Sequence, residues 1–272
     1  MSSAFYVAEP GRFVASELTR GPWDPSAQHA GPPAALIARE IERCESPVAG
    51  DARWRVGRIT YEILRPVPLG VVSVTARVER PGRAVEMVSA ELSAGDDEVA
   101  IRARAWRVAI GDVVLPAGLA SEEPTSAAQL PGPPGPGASQ PKPFFATGEE
   151  VGYHTAMEVR FASGGFVEPG PATVWMRPRQ PLVAGESLTP LQRVMVAADS
   201  GNGVSATLDP ARHVFINVDL SVHLHRMPVG EWVCLEAVTV PEPSGLGLAD
   251  AALHDERGPI GRALQTLLIR ER

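Results

Sequence analysis

Hydrophobic and polar residues alternate in two stretches of the chain that are built alike. Residues 59–70 are Ile-Thr-Tyr-Glu-Ile-Leu-Arg-Pro-Val-Pro-Leu-Gly, and residues 218–230 are Val-Asp-Leu-Ser-Val-His-Leu-His-Arg-Met-Pro-Val-Gly. Such alternation is typical of a half-buried β-strand, and each copy ends in Arg, Pro and Gly before further strand-like sequence. Arg65 corresponds to Arg226. The repeat predicts two similar units in one chain.

A helix is predicted ahead of each repeated strand. Residues 31–44 begin Gly-Pro-Pro, and proline suits the first turn of a helix, where its missing N–H is not needed. Residues 190–199 place apolar side chains on one helical face, with Ser187 or Thr189 as the candidate N-cap. The Gly-Asn-Gly sequence at 201–203 is expected to end this helix.

The other apolar-rich segments predict strands. They lie, after two short pieces within 4–20, at 58–64, 71–78, 84–92, 99–108, 153–161, 172–177, 213–224, 231–240, 246–254 and 259–270. The segment between the strands predicted at 99–108 and 153–161 is rich in Pro and Gly. It predicts an extended linker that forms neither a helix nor a β-ladder. We therefore expect an N-terminal domain at 1–110, a linker at 111–150 and a C-terminal domain at 151–272.

Composition narrows the class of protein. A hydrophobic content of 44% with 21% charged residues is that of a globular protein, and no apolar run is long enough for a membrane span. The net charge of −7 argues against nucleic acid as a partner. The two cysteines, Cys44 and Cys234, fall in different halves, so we expect no disulfide framework. The first residues lack the pattern of a signal peptide, and a cytoplasmic location is expected.

Four local motifs place polar residues in this framework. They are Ala-Ala-Asp at 197–199, Asn-Val-Asp-Leu-Ser-Val-His-Leu-His-Arg at 217–226, Gly-Arg-Ala-Leu-Gln at 261–265 and Gln-His-Ala-Gly at 28–31. In this order, they resemble the motifs of the TesB-like (type II) double-hotdog acyl-CoA thioesterases, and the resemblance covers nearly the whole chain. It implies an α+β fold of two hotdog units, each a helix with an antiparallel meander, joined as an intramolecular pseudo-dimer.

The resemblance also implies a function and its residues. The family hydrolyses acyl-CoA thioesters without a cofactor, and its catalytic Asp, Thr and Gln correspond here to Asp199, Asn217 and Gln265. Asn217 thus stands where the family has Thr; its amide donates and accepts hydrogen bonds but lacks the shape of a hydroxyl. We expect these three residues to hold the attacking water. The expected substrate-binding residues are Gln28, His29, Ala30 and Gly31.

Thioester hydrolysis also needs hydrogen-bond donors for the carbonyl oxygen. The first helix offers N–H groups at its positive end, and we expect Ala30, Gly31, Ala34 and the His29 side chain to supply them.

Comparison of the two copies suggests that only one carries chemistry. The alignment through Arg65 and Arg226 places Val56 opposite Asn217, and Trp106 falls opposite Gln265. Apolar residues thus stand in the first copy where polar ones stand in the second.

Simpler explanations exist for these residues. Asp199 is also suited to a turn at a helix end, and His29 to a turn buttress. Asn217 shares alternate positions with Asp219, Ser221, His223 and His225, and such a stripe is often a solvated strand face. Two of these are histidines, but no third ligand at a telling spacing supports a metal site.

Two other function classes remain open from sequence. One is a hotdog protein that binds an acyl ligand without turnover, because Asn217 departs from the family pattern. The other is a hotdog dehydratase or hydratase. No Gly-x-Ser-x-Gly elbow indicates a serine esterase. We expect acyl-CoA as the substrate and, because strand edges invite pairing, a homodimer or larger homo-oligomer.

Overall fold

The structure is a computed structural model that describes residues 4–48, 53–95, 98–116, 132–145 and 147–272. Within these residues the strands are Tyr6–Glu9 (β1), Arg12–Ala15 (β2), Trp54–Ile63 (β3), Val71–Arg80 (β4), Val85–Ala94 (β5), Glu98–Ala109 (β6), Met157–Gly165 (β7), Glu168–Pro178 (β8), His213–Asn217 (β9), Asp219–Leu224 (β10), Val233–Pro241 (β11), Leu246–Asp255 (β12) and Gly258–Glu271 (β13). The α-helices are Gly31–Arg43 (α1), Tyr153–Ala156 (α2), Pro190–Ala198 (α3) and Gly201–Val204 (α4). None of the helices in the described part of the chain could cross a membrane.

The strands form one antiparallel sheet with two matching halves. Its order is β1-β2-β4-β5-β6-β3 followed by β10-β13-β12-β11-β8-β7, with β9 also on β13. Each half therefore repeats the same connectivity around one long helix, which confirms the predicted pair of helix-and-meander units.

The two halves meet where the repeated strands pair with each other. β3 and β10 are antiparallel neighbours, and Thr60 lies opposite Ser221 with their hydroxyl oxygens 3.0 Å apart. The offset that relates Arg65 to Arg226 also relates Thr60 to Ser221. A pseudo-twofold axis thus passes through this pair.

The register corrects one predicted correspondence. Thr60 pairs with Arg104 on β6, and its counterpart Ser221 pairs with Leu264 on β13. Arg104 and Leu264 are therefore equivalent, and so are the residues that follow them. Gln265 thus corresponds to the buried Ala105 and not to Trp106. The prediction was wrong by one residue because the connections within the two copies differ in length, and a shift of one residue exchanges the two faces of a strand.

The long helices pack against each other as well as against the sheet. α1 contacts β3, β4 and β5, whereas α3 contacts β8 and β11. A side chain on Gly31 would place its Cβ 2.3 Å from the Val196 carbonyl oxygen, so glycine permits this close approach of α1 and α3. At the opposite end of the pair, Glu42 accepts hydrogen bonds from Thr189 (2.8 Å) and Gln192 (3.2 Å).

The predicted linker is more structured than its composition indicated. Residues 117–131 lie outside the described part, but Pro136–Ala138 form a 3-10 turn and Gln140 makes a two-way backbone bridge to Phe161 of β7. The indole N–H of Trp175 donates to the Pro134 carbonyl oxygen (2.6 Å). This segment therefore packs on the C-terminal half.

Both outer strands of the sheet have a backbone partner. Gln140 lies on β7, and Tyr6 of β1 forms a parallel bridge with Val183. Neither outer strand is therefore an open edge that favours pairing with a second copy, and self-association stays a prediction.

Two predicted elements differ from the structure. Residues 153–156 were expected to begin a strand, but they form the helical turn α2, in which the Gly152 N–H donates to the Thr155 hydroxyl. The single strand predicted at 213–224 is divided into β9 and β10 at Val218. Both differences bear on the site.

Candidate active site

Asp199 is the centre of a buried polar cluster. It follows the last residue of α3, and only 5% of the residue is exposed. Its Oδ1 accepts hydrogen bonds from Asn217 Nδ2 (2.9 Å) and Gln265 Nε2 (3.3 Å). The structure therefore brings together the three residues that the resemblance assigns to catalysis.

A bulge between β9 and β10 directs Asn217 inward. Asn217 pairs with Leu267 and Ser221 with Leu264, so β9–β10 contains one residue more than the β13 segment opposite. The Asp219 side chain fills the gap in the ladder by accepting the Thr266 N–H (2.6 Å).

The bulge changes which residues share a face. Phe215 is buried on the same face as Asn217, but after the bulge the buried residues are Leu220, Val222 and Leu224. Asn217 is thus separated from Asp219, Ser221 and His223, and the expectation of one continuous polar stripe was wrong.

Gln265 uses its amide to fix the end of α3. Its Nε2 donates to the carbonyl oxygen (3.1 Å) and to Oδ1 of Asp199, and its Oε1 accepts the Asn202 N–H (3.0 Å). A Cβ on Gly201 would lie 2.9 Å from this Oε1, which explains glycine there. Both amide hydrogens of Gln265 are therefore committed to protein, and the geometry makes Gln265 a positioning residue for Asp199.

His29 contacts the other carboxylate oxygen. Its Nδ1 lies 3.2 Å from Asp199 Oδ2 and accepts a hydrogen bond from the Gly31 N–H (3.1 Å). Its ring stacks on Tyr153 with centroids 3.7 Å apart and an angle of 7° between the planes. The Tyr153 hydroxyl donates to the Val196 carbonyl oxygen (2.8 Å), so Tyr153 ties His29 to α3.

Of the other predicted substrate-binding residues, Ala30 and Gly31 face Asp199, whereas the side chain of Gln28 is bonded to neighbouring segments. Ala30 and Gly31 present their N–H groups toward Asp199, whereas the Ala34 N–H is used inside α1 and is not available to a ligand. Gln28 lines the cavity, but its amide accepts from Tyr6 (2.6 Å) and donates to the Pro68 carbonyl oxygen (2.8 Å). In this structure Gln28 holds the loop that precedes α1.

Burial sets the protonation states of the site. It raises the pKa of Asp199 to about 7, against hydrogen bonds from Asn217, Gln265 and the Ala30 and Gly31 N–H groups. Burial also lowers the pKa of His29 to about 3, so the imidazole is neutral at pH 7. The contact between them is therefore not an ion pair. Because His29 Nδ1 accepts the Gly31 N–H, the neutral ring carries its proton on Nε2.

A cavity of about 370 Å³ opens beside these groups. Its polar side contains His29, Asp199 and Asn217, and much of the remaining wall is apolar. The apolar wall includes Trp23, Ile63, Val67, Phe144, Phe145, Met157, Val159, Phe166, Met176, Val204 and Ile216. Such a pocket suits a ligand with a reactive polar group on an apolar body.

Several residues of the site were not predicted from sequence. Tyr153, Ser200 and Asn202 line the cavity, as do Phe144 and Phe145 from the predicted linker. Two adjacent phenylalanines in a Pro- and Gly-rich segment were an available signal, because a solvated spacer has little use for them. The described residues contain no cluster of three potential metal ligands.

Family models match both halves of the chain. Residues 19–108 match a model described as the acyl-CoA thioesterase N-terminal domain, and residues 124–269 match one described as the acyl-CoA thioesterase C-terminal domain. Comparison with curated protein sequences gives no match.

Solved structures share the architecture at low identity. A putative thioesterase II from Thermobifida fusca has a TM-score of 0.71 at 16% identity, over 98% of this chain and 96% of that one. A hot dog fold protein of unknown function from Alicyclobacillus acidocaldarius gives 0.67 at 15%, over 99% and 96%. The acyl-CoA thioesterase II TesB2 of Mycobacterium marinum gives 0.64 at 15%, over 97% and 94%. These full-length similarities confirm the double-hotdog fold.

Proposed function

Because the chain belongs to the acyl-CoA thioesterase family and is a thioester hydrolase, we propose that it hydrolyses acyl-CoA with Asp199 as the general base. The observation that carries this proposal is the buried Asp199 carboxyl, with a pKa of about 7, held by three side chains at the edge of an apolar cavity. A base that titrates near neutral pH suits proton transfer from water.

The hydrogen bonds indicate a different role for each of the polar residues. Asn217 Nδ2 donates to Asp199 and to the Asp219 carbonyl oxygen, so its Oδ1 remains to accept a hydrogen bond from the attacking water. Gln265 donates to Oδ1 of Asp199, and His29 contacts Oδ2. This arrangement refines the expectation that all three catalytic residues hold the water directly.

The reaction proceeds by addition and loss of the thiol. The water oxygen bonds to the thioester carbonyl carbon while Asp199 takes the proton. The positive end of α1 favours the negative charge that develops on the carbonyl oxygen. The C–S bond then breaks, the thiolate leaves with the proton from Asp199, and the products are a carboxylic acid and CoA. The amide of Asn217 is sufficient for this reaction because the residue needs only to orient the water.

The decisive test is Asp199→Asn. It keeps the volume of the side chain but removes the base, so turnover of acyl-CoA should fall by about a hundredfold or more with little change in KM. Thiol release is the measurement, and Asp209→Asn, on an exposed loop, is the matched control. Undiminished turnover in Asp199→Asn would reject the site. Binding of acyl-CoA by a wild type that lacks turnover would favour the non-catalytic alternative.

One contact also gives reason to test the hydratase alternative. A histidine and an acid, which a dehydratase needs, lie 3.2 Å apart here as His29 and Asp199. In this structure they contact each other, whereas a dehydratase must aim both at the substrate. Incubation with enoyl-CoA and analysis for a hydroxyacyl product distinguishes the two, and the thioesterase proposal expects acid and CoA.

A further inference from the structure

A cluster of phenylalanine rings lines the cavity beside Asp199. Phe144 lies 4.3 Å from Phe145 and 4.4 Å from Phe166, measured between ring centroids, and Phe166 lies 4.9 Å from Phe161. Both Phe144 and Phe166 line the cavity together with apolar residues of β7 and β8. Rings in edge and stacked contact form a well-packed wall.

The acyl chain has no route between the two long helices. α1 and α3 approach so closely that a Cβ on Gly31 would meet the Val196 carbonyl oxygen at 2.3 Å. Residues of both helices around this contact, including Ala34 and Val196, are fully or almost fully buried in the core. An acyl group bound at Asp199 therefore lies along the apolar wall of the cavity, to which β7, β8 and the phenylalanine cluster contribute.

The volume of the cavity limits what fits there. At about 30 Å³ per heavy atom, the share of a water molecule in the liquid, 370 Å³ holds about twelve heavy atoms. The thioester carbon, oxygen and sulfur occupy about three of these places, which leaves about nine for the rest of the acyl group.

We propose that the substrate is a short- or medium-chain acyl thioester, with an acyl group of up to about ten carbon atoms, and that Phe144 and Phe166 set this limit. The inference rests on the proposed thioesterase function and adds the class of acyl group. The phenylalanine pair determines specificity and does not take part in the chemical step.

The first test is the chain-length profile of the wild-type enzyme. Thiol release is followed with acyl-CoAs of four to sixteen carbons and with phenylacetyl-CoA, and kcat/KM is compared. We expect a maximum at ten carbons or fewer, phenylacetyl-CoA among the accepted substrates, and a fall of at least about tenfold by sixteen carbons, the range seen when pocket contacts discriminate between substrates. Equal or higher kcat/KM for palmitoyl-CoA would overturn the proposal.

Variants of the two cavity-lining phenylalanines give the second test. Phe166→Ala and Phe144→Ala should raise kcat/KM for dodecanoyl-CoA relative to hexanoyl-CoA by about tenfold or more, as expected from pocket discrimination. Phe166→Trp should move the maximum to shorter chains. Val167→Ala, next to Phe166 but largely exposed, is the control and should leave the profile unchanged. Folding of each variant is checked by thermal melting.

Failure of the specificity proposal is distinguishable from failure of the function. Turnover with an unchanged profile in folded Phe166 and Phe144 variants would contradict the limit and leave the thioesterase intact. Absence of turnover with every acyl-CoA would contradict the function. Calorimetric binding of hexanoyl-CoA and palmitoyl-CoA then decides the limit, and binding of palmitoyl-CoA at least as tight as that of hexanoyl-CoA would overturn it.

Discussion

Burial of Asp199 lowers the stability of the folded state by an amount that depends on pH. Its pKa rises from 3.8 to about 7 because burial disfavours the carboxylate. The folded state therefore binds this proton more tightly than the unfolded state, and its contribution to stability is present below pH 4 and is lost as pH rises to 7.

Asp199→Asn should therefore stabilise the protein most at high pH. At about 1.4 kcal/mol per pKa unit the gain amounts to as much as about 4 kcal/mol at pH 8, and it should largely vanish near pH 4. Urea unfolding of wild type and variant across this range measures it. A difference that is constant with pH would show that the carboxyl is not buried in this way.

Asn217 opposes the effect of burial on the pKa of the proposed base. Its amide is the strongest of the hydrogen bonds that lower the pKa of Asp199. We expect Asn217→Ala to shift the rising limb of kcat/KM against pH upward, by up to about one unit, and Gln265→Ala to shift it less. If Asn217 acted only in substrate binding, Asn217→Ala would change KM and leave the pH of the rising limb unchanged.

At the scale of elements, the bulge between β9 and β10 aims Asn217 at Asp199. Because Asp219 accepts the otherwise unpaired Thr266 N–H, Asp219→Ala should lower the free energy of unfolding by about 1–3 kcal/mol. It should also reduce turnover by displacing Asn217. Ser221→Ala, two residues further along β10, is the control and should retain activity. Thermal melting and thiol release report the two effects, and full activity in Asp219→Ala would contradict this account.

The same elements show how far sequence patterns reach. Alternation of apolar and polar residues predicted most of the strands and the repeat, and helical spacing with prolines and caps predicted the two long helices. The alternation continues without interruption through Val218, so the bulge left no mark in the sequence and the orientation of Asn217 was hidden. The turn at α2 was predicted as a strand because its few residues have no helical period.

The site itself was predicted only in part, for a related reason. Family motifs located the polar residues that meet at Asp199. The stacking of His29 on Tyr153 and the role of Phe144 as a cavity wall join segments more than 100 residues apart. Local pattern contains no information about such contacts.

At the scale of the whole molecule, the halves are joined by the close contact of α1 and α3. Gly31→Ala would bring a Cβ to 2.3 Å from the Val196 carbonyl oxygen. We expect a loss of about 1–3 kcal/mol in stability, typical of overpacking, together with lower turnover. The exposed Gly111, where a Cβ would meet nothing within 4 Å, provides the control as Gly111→Ala. Wild-type melting of Gly31→Ala would show that the helices are less closely packed.

The ends of the helix pair have different caps, and this has a consequence for the whole assembly. The N-cap of α1 is Ala30, which caps nothing with its side chain. The N-cap of α3 is Thr189, whose hydroxyl closes the first turn together with Gln192, and both side chains bind Glu42. In a dimer of two identical single units, symmetry would give both ends the same residues. Because the two units are fused in one polypeptide, one end of the helix pair can bind a ligand while the hydrogen bonds to Glu42 hold the other end together. Each chain should therefore process one acyl group at a time, although its architecture contains two equivalent places.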